Sequence, residues 1–143
     1  MGSREFTQGR LIVARLPHGA DLLEEIVTLA DRHGIEAGAL QGLGALQRTR
    51  LAYYDQAHRS YGEFDLERPL ELTALVGNVS RRDGATAAHV HLTLADRDGR
   101  AFGGHAAPGC VVFACEIVLS ELHGPSLERE YDETTGLPLW RGL

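Results

Sequence analysis

His89, His91 and His105 are the residues of this chain whose types and spacing could do chemistry together. Imidazole is a neutral nitrogen donor near physiological pH, and three such donors on one divalent ion leave a coordination position open. Zinc is the first expectation because imidazole suits it, with nickel, copper or iron as alternatives, since all-nitrogen sites discriminate poorly. A polar histidine cluster without an ion is the plainer reading. Binding needs uncharged rings, so affinity is expected to fall below about pH 6.5, the ordinary histidine range.

Whether the three rings meet depends on the elements that carry them. Side chains alternate along a strand, so a strand through Ala88-His89-Val90-His91-Leu92 puts His89 and His91 on one face. Asp96-Arg97-Asp98-Gly99 lies between this segment and Phe102-Gly103-Gly104-His105 and reads as a hairpin turn. Loop length decides where His105 points. A two- or four-residue loop sets it on the wrong face, whereas a three-residue loop of Arg97, Asp98 and Gly99 pairs Asp96 with Arg100 and His91 with His105. Glycine takes the left-handed conformation of the third loop position without steric cost, which favours this register. Opposed Cβ atoms then lie about 4.5–5.5 Å apart, close enough for two imidazoles to share one ion.

Upstream, Asp21 followed three residues later by Glu24 resembles a capping box, and Leu22, Leu23, Ile26, Leu29 and Ala30 form one apolar stripe that ends at Gly34. His33 in the last turn fits a capping or dipole-complementing role better than a ligand's. Beyond the helix the apolar period becomes two, and strands are expected over residues 11–16, 39–44, 50–55, 70–76, 88–95, 100–105 and 110–122. One helix among many strands indicates an α+β domain, a mostly antiparallel sheet flanked by few helices. Glu71 and Glu116, both in expected strands, are candidate general bases or partners that orient a ligand imidazole. Gly42 and Gly44 complete no phosphate-binding pattern and point instead to close backbone approach within the sheet.

The 143 residues suffice for one domain, and no apolar run approaches the about 20 residues that span a bilayer. With no secretory-type hydrophobic segment at the N-terminus, a cytoplasmic location is expected. Cys110 and Cys115 are five apart in a strand-like run, which predicts unpaired thiols on opposite faces. The net charge of −6, from 20 acidic and 14 basic residues, opposes general nucleic-acid binding, which draws on Lys and Arg.

The run from His89 to His105 with Gly103-Gly104-His105 resembles the plants-and-prokaryotes conserved (PPC) domain, often labelled DNA-binding or PD1-like. Leu16-Pro17-His18-Gly19-Ala20-Asp21, Gln41-Gly42-Leu43-Gly44-Ala45-Leu46, Gly77-Asn78-Val79-Ser80 and Asp83-Gly84 follow in the family's order. Arg129-Glu130-Tyr131-Asp132 and Thr135-Gly136-Leu137 resemble bacterial members, so the resemblance implies a domain core over residues 11–122 and a tail over 123–143. It implies a homotrimer, and the run from Cys110 to Leu122, apolar at both odd and even positions, agrees that both faces of one strand are covered. In plant members the segment matching Leu70, Glu71 and Leu72 is associated with partner binding, and a separate AT-hook grips DNA. No Arg-Gly-Arg-Pro core of that kind occurs in this chain. The resulting expectation is a trimeric metal-binding module, regulatory or scaffolding in role. The alternative is a metal-dependent enzyme acting on a small molecule. The two differ in whether the ion faces a closed shell or an open pocket.

Overall fold

The computed structural model describes residues 2–143. Its elements in chain order are β1 (Thr7–Leu16), α1 (Leu22–His33), β2 (Gly38–Asp55), β3 (Ser60–Leu66), β4 (Leu70–Arg82), β5 (Ala85–Ala95), β6 (Ala101–Ala106), β7 (Val111–His123), β8 (Glu128–Asp132) and β9 (Leu137–Trp140). The helix begins and ends where its caps require. Asp21 accepts hydrogen bonds from the Leu23 and Glu24 amides at 2.9 and 3.1 Å, and Gly34 closes the last turn in the left-handed conformation (φ 63°). Leu22, Ile26, Leu29 and Ala30 are the buried stripe.

The strands expected over 39–44 and 50–55 are one strand, β2, of 18 residues. Its first half lies between β7 and β4, and its second half pairs with β3 and, at Leu51 and Ala52, with β6. Since β4, β5 and β6 pair in succession, the ring β2-β4-β5-β6 closes on itself. Leu40, Leu46, Leu51, Leu72, Leu75, Leu92 and Leu94 on the ring strands, each at most 2% exposed, pack in one core with Leu22 and Ile26 of α1. A strand that serves both ends of such a ring must bend, and β2 bends at register shifts between Gly42 and Gly44 and again before Arg48. A Cβ on Gly44 would collide with the Ala114 carbonyl, so close backbone approach is the reason for this glycine.

One pairing departs from the antiparallel expectation. β8 runs parallel to β4, Arg81 opposite Glu128 and Arg82 opposite Arg129, so the sheet is mixed. Buried Leu127 anchors the entry, its carbonyl accepting from the Arg81 amide at 3.0 Å, and the chain then runs along the free side of β4 in the same direction. Residues 123–143 therefore extend the sheet through the β8–β9 hairpin. The cysteine expectation also needs correction. Both thiols are free and buried in the same core, because Cys110 precedes β7 and a bulge exposes Phe113 and Ala114 in succession, shifting the alternation before Cys115. Burial pushes each thiol up to about 11, which keeps both protonated.

Arg10 and Glu121 tie β1 to β7. The guanidinium donates to the Glu121 carboxylate from Nε at 2.7 Å and Nη2 at 2.8 Å, and the Arg10 amide donates to it at 3.0 Å. These bonds, led by the side-chain bond from Arg10, hold the Glu121 carboxyl down at about 2. The lowered value means that the stabilisation is complete above the ordinary value of 4.5 and is lost as pH falls through about 2. Thermal melts between about pH 5 and pH 2 should show the wild type losing more stability than Glu121→Gln, which should start lower. Equal slopes would remove this pair from the acid response.

Candidate metal centre

The β5–β6 turn is the three-residue loop required to bring the histidines together. Gly99 has φ 76°, its amide donates to the Asp96 carbonyl at 2.9 Å, and the Asp96 amide donates to the Arg100 carbonyl at 3.1 Å. The Asp96 carboxylate accepts from the Asp98 and Arg100 amides at 2.9 and 3.0 Å, so the turn is fixed by its own side chain. The register runs from Ala95 opposite Ala101 to His91 opposite His105. On the other side of β5, β4 places Asn78 opposite His89 and Val76 opposite His91, while β2 places Ala52 opposite His105.

The three rings converge. Centroids are 5.2 Å apart for His89 and His91, 5.0 Å for His89 and His105, and 5.3 Å for His91 and His105. The Nε2 atoms of His89 and His91 are 3.2 Å apart, and one nitrogen from each ring falls within a 4.8 Å set. Donors on a tetrahedral ion at 2.0–2.1 Å stand about 3.4 Å from one another, so small side-chain rotations suffice to close the set. His105 Nδ1 is buried with no hydrogen-bond partner, a cost of about 1–3 kcal/mol that coordination of the cluster would help explain. Burial, then Arg129, His105 and His91, push the His89 ring down to about 4. Burial, then His91 and Arg129, lower His105 as well. Both rings therefore stay uncharged below the ordinary histidine range, and protons compete for them later than free histidine would suggest.

The centre borders a cavity of about 380 Å³ whose lining includes Tyr61, Arg82, His89, His105 and Arg129. Tyr61 reaches it from β3, its ring 5.2 Å from that of His105. Arg129 reaches it from β8 and approaches His89 Nδ1 to 3.4 Å through Nη2. Sequence reading assigned neither residue a role. The β3 side chains are exposed or only partly buried and show no apolar period, and a parallel pairing far along the chain has no local signal.

Residues 3–123 match the model of the Plants and Prokaryotes Conserved (PCC) domain. The chain belongs to this family. A plant- and prokaryote-conserved (PPC) protein from Pyrococcus horikoshii has 36% identity and a TM-score of 0.93 over 100% of this chain and 99% of its own. A metal-containing protein from Archaeoglobus fulgidus has 38% identity and a TM-score of 0.93 over 98% and 99%. Among curated proteins, the bifunctional protein GlmU of a Synechococcus strain is 37% identical over 124 residues, 85% of this chain but 18% of GlmU. The chain thus spans about a fifth of the curated relatives it matches.

Within this PCC domain the two candidate glutamates lie apart from the histidines. Glu71 is opposite Ala95 on β5, four residues or roughly 13 Å along the strand from His91. It lines a different cavity with Gln47, Asp96 and Phe113. Glu116 lies opposite Arg15 and Leu43 and lines a third. In the Leu70-Glu71-Leu72 segment, Leu70 and Leu72 are 3% and 1% exposed, so only Glu71 presents its side chain to solvent. No helix among the described residues is long and apolar enough to cross a membrane.

Proposed function

We propose that this PCC domain holds a divalent transition metal, zinc first, on His89, His91 and His105 and presents it to a small molecule. The observation that carries the reading is the placement of His89 and His105 in the wall of an open cavity of about 380 Å³, within the size range of ligand sites. A purely structural zinc is closed off by four protein ligands, whereas three imidazoles and an adjoining cavity match a site with one exchangeable position. An ion held there would supply Lewis-acid chemistry, polarising a carbonyl or lowering the pKa of water. The metal-containing relative from Archaeoglobus fulgidus supports the reading. So does the occurrence of a similar domain as part of a longer chain, which suits a module that serves other proteins by binding a ligand. The net charge of −6 weighs against duplex DNA as the partner.

Metal content tests it. Tag-free protein from zinc-supplemented growth should carry about one ion per chain, and His91→Ala should carry almost none, because three ligands are the minimum such sites use. Equal metal in the two proteins would defeat the reading.

A second reading concerns assembly, and a specific surface favours it. Val13, Leu43 and Val76 are 71%, 56% and 57% exposed and line one groove of about 600 Å³ across β1, β2 and β4. Exposed apolar side chains gathered in one groove, with Arg15 and Glu116 among its polar lining, suit a contact surface, and a homotrimer is the assembly proposed.

A further inference from the structure

Arg129 is a fixed cation without an anion. Its Nε donates to Ser80 Oγ at 2.9 Å, Nη2 to Asn78 Oδ1 at 2.8 Å and Nη1 to the Pro138 carbonyl at 2.9 Å, and its guanidinium lies 5.3 Å from the centre of the Trp140 ring. Every one of these partners is neutral, Ser80 is fully buried, and among the described residues no carboxylate pairs with Arg129. Burial and the nearby Arg82 both work against its charge. A guanidinium held in place by neutral partners beside a second cation leaves its charge uncompensated and available to an anion.

The guanidinium has five N–H groups, so the three bonds to Ser80, Asn78 and Pro138 leave one on each terminal nitrogen. One of these approaches His89 Nδ1 at 3.4 Å. When His89 Nε2 serves as the metal ligand, the ring proton sits on Nδ1, which can no longer accept from Arg129. That N–H is then left without an acceptor in the protein, at the wall of the cavity that Arg129 lines. The rest of the wall is Leu137, Pro138 and Leu139 of the C-terminal hairpin with Ala87 and Ala88, apolar apart from the Tyr61 hydroxyl and a second cation, Arg82. Positive charge and a hydrocarbon surface beside it define the occupant.

We infer that the cavity takes a small carboxylate with an apolar body, its carboxylate held between Arg129 and the metal centre and its body lying on Leu137, Pro138 and Leu139. The inference deepens the proposed metal site and rests on it. A planar guanidinium matches a carboxylate better than a compact ammonium does, so lysine should replace Arg129 poorly. Arg129 lies beyond residues 3–123 that match the family model, so the C-terminal hairpin supplies the recognition group.

Trp140 is the chain's single tryptophan and stacks on Arg129, so its fluorescence reports on the site. Zinc-loaded protein is titrated with hexanoate, and with hexanol and inorganic phosphate as the separate halves of the ligand. Hexanoate should give a saturable change, with a midpoint at least about tenfold weaker in Arg129→Gln, the loss of about 1.4 kcal/mol expected for a charged hydrogen bond. Arg129→Lys, which keeps the charge and guards against misfolding of the glutamine variant, should fall between them. Zinc content should be unchanged in both variants. Equal midpoints in wild type and variants, no response of zinc-loaded wild type, or hexanol or phosphate binding as tightly as hexanoate would each overturn the inference. Wild type that carries no zinc would instead overturn the metal reading beneath it.

Discussion

Removing zinc with a chelator should lower the unfolding temperature of the wild type by about 10 °C or more and leave His91→Ala unmoved. A ligand that binds only the folded state stabilises it by about 4 kcal/mol at a thousand times its dissociation constant, and each kcal/mol moves a domain of this size by about 3 °C. The three ligands exist as a set only when β5 and β6 hold their register, with His91 opposite His105, so the unfolded chain offers no comparable site. His91 is the discriminating position because it is exposed, and its replacement by alanine disturbs little packing. Differential scanning calorimetry with and without chelator, on both proteins, reads the effect. A shift of the same size in wild type and variant would show that the ion acts elsewhere.

Light scattering should return about three times the 15.6 kDa chain mass at micromolar concentration, and Val13→Asp should return the single-chain mass. Val13 is 71% exposed in the isolated chain and shares its groove with Leu43 and Val76, so a carboxylate there would be stripped of water on association. Burying an unpaired charge costs several kcal/mol, and each 1.4 kcal/mol weakens association tenfold. Since Val13 makes little contact within the chain, the variant should keep its melting profile apart from the loss of assembly. A wild-type mass near 15.6 kDa would end the trimer reading.

The local elements and the histidine register are legible in the sequence because short-range rules fix them. Asp21 and Gly34 cap the helix by their own hydrogen-bonding and conformational preferences, and Gly99 selects the loop that sets His91 opposite His105. Family membership was legible from the ordered motifs between Leu16 and His105. The tertiary structure alone decided what surrounds the histidines. Closure of the ring through β2 depends on pairings dozens of residues apart, and bulges in β2 and β7 reset the alternation on which face assignments rest, as the two cysteines show. Glu71 and Glu116 carry suitable chemistry, yet the register sets them in other cavities. Arg129 and Tyr61 reach the centre because β8 adds to β4 in parallel and β3 folds back on β2, contacts between distant segments that no local periodicity encodes.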